Sequence, residues 1–429
     1  MASHGMATLQ TSLSRPRVRG EMTMQAALVT LGVLVASLAA LAGHAPREAS
    51  SGGHSGESAI PTPGMAAVHI EGAFGRFPSI KVGSDGLGLI SYFDETNADL
   101  KVAHCLDIAC TEAELATLDG DDAVGWYTSL AIGTDGLGLI SYLDATNDAL
   151  KIAHCLDVPC SKATIARIDD MGGSFNSIAI GSDGLGLIGY MDANNMKLLV
   201  AHCQDVACAG ASVTTIENAG YVGGYISMAI GLDGLGLISY FGDSDGHLKV
   251  AHCLDAACSG ATVTIVDGGG YTGHWTSIAI GSDGFGLISY MDMPDAGIEV
   301  AHCLDLACTT SEMTTIDRTA GEYSSIAIGP DGLGMIAFRD SVRTALKVAY
   351  CADLACTTTA IVTVDDEANV GTYPSITIGR DGFGLIAYVD ETTNRLKVAH
   401  LSSGPSSYSA DPPEISTFRS AGSGCAQPV

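Results

Sequence analysis

The sequence predicts an all-β fold: a seven-bladed β-propeller of four-stranded blades, the last blade closed by an N-terminal strand. Three observations predict it. An Asp-Gly pair recurs at Asp85, Asp135, Asp183, Asp233, Asp283, Asp331 and Asp381, at intervals of 50, 48, 50, 50, 48 and 50 residues, and a fixed period in that range marks a repeat architecture. Each period holds four short apolar segments separated by turn residues, the pattern of a propeller blade. No segment inside the repeats carries a helical period.

Residues 129–160, SLAIGTDGLGLISYLDATNDALKIAHCLDVPC, show the unit. The first strand, SLAIG, ends at a turn whose Asp-Gly supplies the positive φ of a tight hairpin. The second, GLISYLD, is apolar on both faces, as a strand sandwiched between neighbours must be. Five loop residues lead to the third strand, LKIAHC, and a C-x4-C loop leads to the fourth, residues 165–168. The seventh unit has its first three strands, SITIG, GLIAYVD and LKVAH, but no fourth. Val68-His69-Ile70-Glu71 precedes the first unit in the register of a fourth strand. A strand donated from there completes the last blade and removes an open edge.

Domain boundaries follow from composition. Arg15, Arg17 and Arg19 precede an apolar run, residues 24–42, with small residues at Ala40 and Ala42. This reads as a secretory signal, or as an uncleaved membrane anchor, since the run has 19 residues. Residues 1–45 are therefore leader, 46–66 a Ser/Gly/Pro linker, 67–402 the propeller, and 403–429 a disordered tail. Either form of the leader places the propeller outside the cytoplasm, secreted, extracellular or periplasmic. The formal net charge of −28 disfavours nucleic acid and anionic membrane surfaces, which need a basic footprint. A membrane contact is expected only through the leader.

Twelve of the 13 cysteines form C-x4-C pairs: Cys105/Cys110, Cys155/Cys160, Cys203/Cys208, Cys253/Cys258, Cys303/Cys308 and Cys351/Cys356. Behind a secretory leader the expectation is disulfide. Metal is the competing reading, because His104, His154, His202, His252 and His302 each precede a first Cys. Neighbours on a strand point to opposite faces, however, and the spacing misses the usual zinc patterns. The histidines are expected to be packed, hydrogen-bonded side chains between blades. Cys425 stands alone in the tail.

Carboxylates are placed periodically. Asp94, Asp144, Asp192, Asp292, Asp340 and Asp390 end second strands, and Glu71, Asp119, Asp169, Glu217, Asp267, Asp317 and Asp365 end fourth strands. In a propeller both positions fall on one face. Repeated carboxylates can ligate Ca²⁺, and Asp119 with Asp121 and Asp243 with Asp245 are the densest candidates. Neither completes an EF-hand loop, and capping of the acids' own turns is the favoured role. No resident cofactor is expected otherwise.

On the same face an aromatic stands two residues before the Ser of each first strand: Phe77, Tyr127, Phe175, Tyr225, Trp275, Tyr323 and Tyr373. The set is a candidate ligand platform for sugar rings; the competing role is wedge packing between blades. The residues just before them vary, and Trp126 and His274 are singled out as candidate contacts. Arg76, Arg318, Arg339, Arg343 and Arg395 cluster in the first, sixth and seventh units, a sector able to take an anionic group or to pair with local acids. No nucleophile elbow, H-E-x-x-H or nucleotide loop is present, and the repeated G-L-G precedes no helix.

The S-I-A-I-G-x-D-G-x-G-x-I-S-Y-x-D and L-K-V-A-H-C blocks between Ser79 and His400 resemble the secreted bacterial propellers of the sialidase-like, BNR-type group and the seven-bladed propeller lectins. The resemblance implies a propeller and extracellular recognition of a glycan or other cell-surface ligand. It does not extend to sialidase activity, because the S-x-D-x-G-x-x-W box is absent and no motif fixes an arginine triad. The expected function is a non-catalytic, lectin-like binding module. A sialidase-like glycoside hydrolase and a purely structural surface protein are the alternatives.

Overall fold

Each Asp-Gly turn of the repeat joins an innermost strand to the strand outside it. In the computed structural model, which describes residues 65–402 apart from 219, 294–296, 319 and 320, every unit is a four-stranded antiparallel sheet. In the first blade, Arg76–Val82, Gly88–Asp94, Asp99–Cys105 and Ala113–Asp119 lie side by side in that order. Seven such sheets make a seven-bladed propeller, and no helix occurs among the described residues. The leader (1–45), residues 46–64, the tail (403–429) and Cys425 lie outside them.

The core is a set of seams rather than one centre. Leu89, Leu100 and Val102 of the first blade pack with Leu130, Ile140 and Tyr142 of the second, and the other blades repeat the arrangement. Gly88–Asp94 is buried along its whole length, which is why second strands carry no polar face. Each large apolar side chain fully buried in a seam contributes about 1.5–3 kcal/mol.

Two glycines of the G-x-G pattern have separate reasons. The Gly86 N–H donates to the Gly83 carbonyl at 3.0 Å with φ +82°, and Gly83 N–H donates to Leu87 at 2.8 Å. That is a three-residue hairpin loop with its left-handed position filled by glycine. At Gly88 a Cβ would stand 2.8 Å from Cys105 Sγ and 3.0 Å from Leu385 Cδ2 of the seventh blade. This glycine is a packing residue between blades.

All six expected disulfides are present: Cys105–Cys110, Cys155–Cys160, Cys203–Cys208, Cys253–Cys258, Cys303–Cys308 and Cys351–Cys356, with Cα atoms 4.6–4.8 Å apart. Such pairs fit an oxidising environment. The C-x4-C segment is the connecting loop that the sequence indicates, with a backbone feature at its second cysteine that the sequence does not show. The first cysteine of each pair ends a third strand. Cys110, Cys160, Cys208, Cys258, Cys308 and Cys356 lie beyond the strand, buried, and all hold left-handed backbone, with φ between +51° and +56°. The physical reason is the short return path. The Cys110 N–H donates to the Asp107 carbonyl at 3.1 Å, and the other five close the same turn at 3.0–3.1 Å. The chain doubles back within that turn to bring the second sulfur onto the first.

The neighbouring histidines do not bridge blades as the sequence suggested. His104, His154, His202, His252, His302 and His400 each place Nε2 2.7–2.8 Å from the Asp of their own hairpin turn. The strut is internal to the blade, so His400 persists in the seventh unit without a cystine.

Serine closes the innermost tier. An innermost strand is a sheet edge whose outward N–H groups lack a ladder partner. Ser79 Oγ accepts the Leu130 N–H of the next blade at 3.0 Å, and Ser129, Ser177, Ser227, Ser277 and Ser325 repeat the bond at 3.1–3.2 Å. Ser375 then accepts Ile80 N–H at 3.1 Å and completes the circuit. At the outer edge Met65–Phe74 pairs antiparallel with Arg395–Leu401, with Val68 opposite Val398. The strand begins two residues inside the predicted linker and is irregular between His69 and Phe74.

Candidate functional site

Each innermost strand breaks its ladder at one place. Arg76 pairs with Phe93 and Ser79 with Ser91, so Phe77 and Pro78 stand against Tyr92 alone, a β-bulge. The same irregularity occurs in all seven blades. Its first residue is always the aromatic, and always left-handed: φ is +53° at Phe77, +54° at Tyr127, +51° at Phe175, +52° at Tyr225, +48° at Trp275, +52° at Tyr323 and +50° at Tyr373.

The second bulge residue is fastened to the preceding blade. Thr128 hydrogen-bonds Ser91, Ser141 donates to Asn176 at 2.5 Å, Thr276 donates to Ser239 at 2.9 Å, and Ser289 donates to Ser324 at 2.9 Å. Where the second strand carries Gly189, Ala337 or Ala387 instead of serine, the next blade carries Ile226, Pro374 or Pro78. Polar meets polar and apolar meets apolar, which leaves no buried hydroxyl without a partner in these pairs.

The seven aromatics form a closed ring. Neighbouring centroids are 4.4–5.4 Å apart, from Phe77–Tyr127 round to Tyr373–Phe77. Successive planes turn by 40–59°, close to the roughly 51° step of a seven-fold ring. The planes therefore run along the axis. At these separations neighbours overlap by their faces, since rings meeting edge to edge stand farther apart. Faces engage one another, and ring edges are turned toward the axis. The expected sugar-stacking platform is thus not what the ring presents. Together with the bulge partners it encloses an open cavity of about 190 Å³.

The hydroxyls converge. Tyr373 interacts electrostatically with Tyr323 beside it, with Arg76 and with Tyr225 across the ring. Burial is the main cause that pushes the phenols of Tyr225, Tyr323 and Tyr373 above the usual tyrosine value. They remain O–H groups at neutral pH.

Trp126 and His274 are not free positions. Trp126 stacks on Phe93 of the preceding blade at 4.8 Å and His274 on Phe241 at 4.0 Å. Both are wedges just outside the ring. Burial lowers the His274 pKa to about 4, so its ring is neutral. The signal that exposes this is covariation along the chain: an aromatic appears there only where the preceding second strand carries Phe.

The arginine sector is largely paired. Arg76 binds Glu391 through two bonds of 3.0 and 3.1 Å and Glu95 at 2.5 Å. Arg339 binds Glu322 at 2.7 Å and Asn369 at 2.8 Å. Arg343 reaches Asp340 at 3.4 Å while 70% exposed, Arg318 donates to Thr315, and Arg395 lies 5.3 Å over the Phe74 ring. Arg76 couples electrostatically to Tyr373 of the ring, and the guanidiniums of Arg76 and Arg339 are tied to glutamates.

The acids divide by strand. Asp144 caps its own turn, accepting from Asn147 N–H and Nδ2 at 2.9 Å each. Asp119 instead spans a seam, accepting from Tyr142 at 2.7 Å and Lys151 at 3.0 Å of the next blade. Of the Ca²⁺ candidates, Asp119 faces Lys151 and Asp245 faces Lys249 at 2.7 Å. Asp121 donates its N–H to Asp119, and burial raises the carboxyl of Asp243. Among the described residues no group of three or more His, Cys, Asp or Glu is placed to hold a metal ion.

No family model matches the chain, and no curated protein matches it. Among solved structures, hydrazine synthase of Kuenenia stuttgartiensis aligns at TM-score 0.53 and 12% identity, over 77% of this chain and 96% of that one. A Dyadobacter fermentans protein of unknown function aligns at 0.49 and 10%, over 79% and 100%. A Penicillium chrysogenum alpha-L-arabinanase complexed with arabinobiose aligns at 0.46 and 11%, over 64% and 92%. At such identity the likeness is one of fold, and the fold that this chain's own sheets define is the seven-bladed β-propeller.

Proposed function

We propose that the propeller is a non-catalytic binding module that works in an oxidising, extracellular setting and recognises an oxygen-rich ligand, a glycan of a cell surface, at its aromatic mouth. One observation carries this: seven bulky residues at one tier all hold left-handed backbone. That conformation costs an L-residue about 1–2 kcal/mol, and strained residues gathered at one opening mark a site. Ring edges carry partial positive charge and the phenols donate hydrogen bonds, so recognition runs through sugar oxygens.

The rival role, in which the ring only locks the blades, makes a different forecast for a substitution that keeps the stacking. Tyr225→Phe removes a hydroxyl and little else. On a glycan array probed with the full chain, it is expected to weaken binding about tenfold, the worth of one good hydrogen bond, with no change in melting temperature. Trp275→Ala opens the ring and is expected to abolish binding. An array without ligands, or one on which Tyr225→Phe binds as the parent does, leaves the ring a lock.

A further inference from the structure

The axial channel below the ring carries a feature that the mouth does not use. Along Ser79-Ile80-Lys81 the isoleucine is buried in a seam, Ser79 is half-buried and Lys81 is exposed, as two-residue alternation requires. On an innermost strand the face opposite the buried isoleucine borders the axis, where its small residues also touch the next seam, as Ala131 does with Ile178. Each blade therefore contributes a serine and, two residues on, a second channel residue. Those second residues are Ala131, Ala179, Ala229, Ala279, Ala327 and Thr377, and in the first blade Lys81. Six small side chains and a single four-carbon ammonium make up the tier. Where innermost strands converge there is room for alanine, and a lysine at that position has only the channel into which to extend.

No carboxylate among the described residues pairs with this charge. Lys101, Lys151, Lys249, Lys347 and Lys397 each meet a carboxylate, whereas Lys81, like Lys162 and Lys197, forms no ion pair among the described residues. Although Lys81 is open to solvent, the surrounding strands partly desolvate its amine and hold it below the usual lysine value. The serines above supply the complement. Each has accepted a backbone N–H with its oxygen, which leaves its own O–H to donate. Neither tier contains a carboxylate.

We propose that the channel tier is an anion-binding site in which Lys81 supplies the charge and the serine hydroxyls supply donors. Its ligand is a small carboxylate, either free or as the terminal group of a longer molecule entering at the mouth. Lys81→Ala installs the residue that five other blades carry, so the variant folds. Reductive methylation with ¹³C-formaldehyde gives the full chain one resonance per lysine, and the resonance missing in Lys81→Ala identifies Lys81. Sodium acetate is expected to shift that resonance saturably and leave the other lysines unmoved. A carboxylated oligosaccharide that shifts it, when its carboxyl-reduced form does not, assigns the site to a longer ligand; a response to acetate alone assigns it to a free anion. No saturable shift with either overturns the proposal. This outcome is independent of the mouth, because acetate reports on Lys81 even if no glycan binds the aromatic ring.

Discussion

At Tyr323 two preferences of the chain oppose each other. A strand interior normally favours alanine over glycine by about 0.5–1 kcal/mol. At φ +52° an L-residue carries a left-handed cost of about 1–2 kcal/mol that glycine escapes. Tyr323→Ala and Tyr323→Gly both lose the stacking on Trp275 and Tyr373, 4.4 and 4.7 Å away. The glycine variant is expected to be the more stable of the two by about 1 kcal/mol in chemical denaturation, the reverse of the strand rule. An alanine variant as stable as the glycine one would remove the strain from the account. The periodic aromatic was legible in the sequence because it repeats in every unit. Its backbone was not, because the usual marker of a left-handed bulge is glycine and here the position is aromatic. Trp126 and His274 misled for a related reason: variation between units reads as freedom until Phe93 and Phe241 are seen beneath them.

The Cys-x4-Cys loops show what an element adds to its bond. Asp305 stands two residues after the first cysteine of one, and accepts the N–H groups of Ala307, Thr309 and Thr310 at 3.0–3.1 Å together with both threonine hydroxyls. Burial works to raise this carboxyl, yet the donors prevail and hold it at about 2. Asp107 and Asp353 are held low in the same way against burial, and Asp157 chiefly by Ser161. A carboxyl lower in the folded than in the unfolded chain stabilises the fold above the unfolded value, near 3.9. That stability disappears as pH falls through the folded value. The contribution of these carboxylates is therefore expected to hold from neutral pH to about 4.5 and to be lost between about 4 and 2, after an earlier decline between about 6.5 and 4 that the buried, neutral His274 imposes. Asp305→Ala is expected to lose about 1–2 kcal/mol at pH 7 and progressively less as pH approaches 2; a difference that does not shrink with acid counts against the carboxylate. The cystines were legible from spacing alone. The left-handed backbone of Cys308 and its five counterparts was not, because nothing in the residue type announces it. Nor was the seam bond from Asp119 to Tyr142, which joins different blades and leaves no local pattern.

For the molecule, the question is what holds a ring of seven sheets shut. Two inner circuits cross the junction of the first and seventh blades, Ser375 with Ile80 at 3.1 Å and Tyr373 with Phe77 at 4.6 Å. The outer circuit is Met65–Phe74 on Arg395–Leu401. The fifty-residue period made the blade count legible, and the missing fourth strand of the last unit pointed upstream. The serine circuit was illegible, because its partner is a backbone N–H in the next blade. Deleting residues up to 74 leaves both inner circuits and removes Ile70 and Ala73 from the core they share with Leu396 and Val398. Burial of Ile70 alone is worth about 1.5–3 kcal/mol, and the stripped strand becomes an edge open to pairing with other chains. The truncated chain is expected to melt several degrees lower and to associate with rising concentration in light scattering. A permutant that carries residues 65–74 after Leu401 on a short flexible linker is expected to restore both. A truncated chain that stays monomeric at the parental melting temperature would show the inner circuits to be sufficient, and would reduce the upstream strand to a cover.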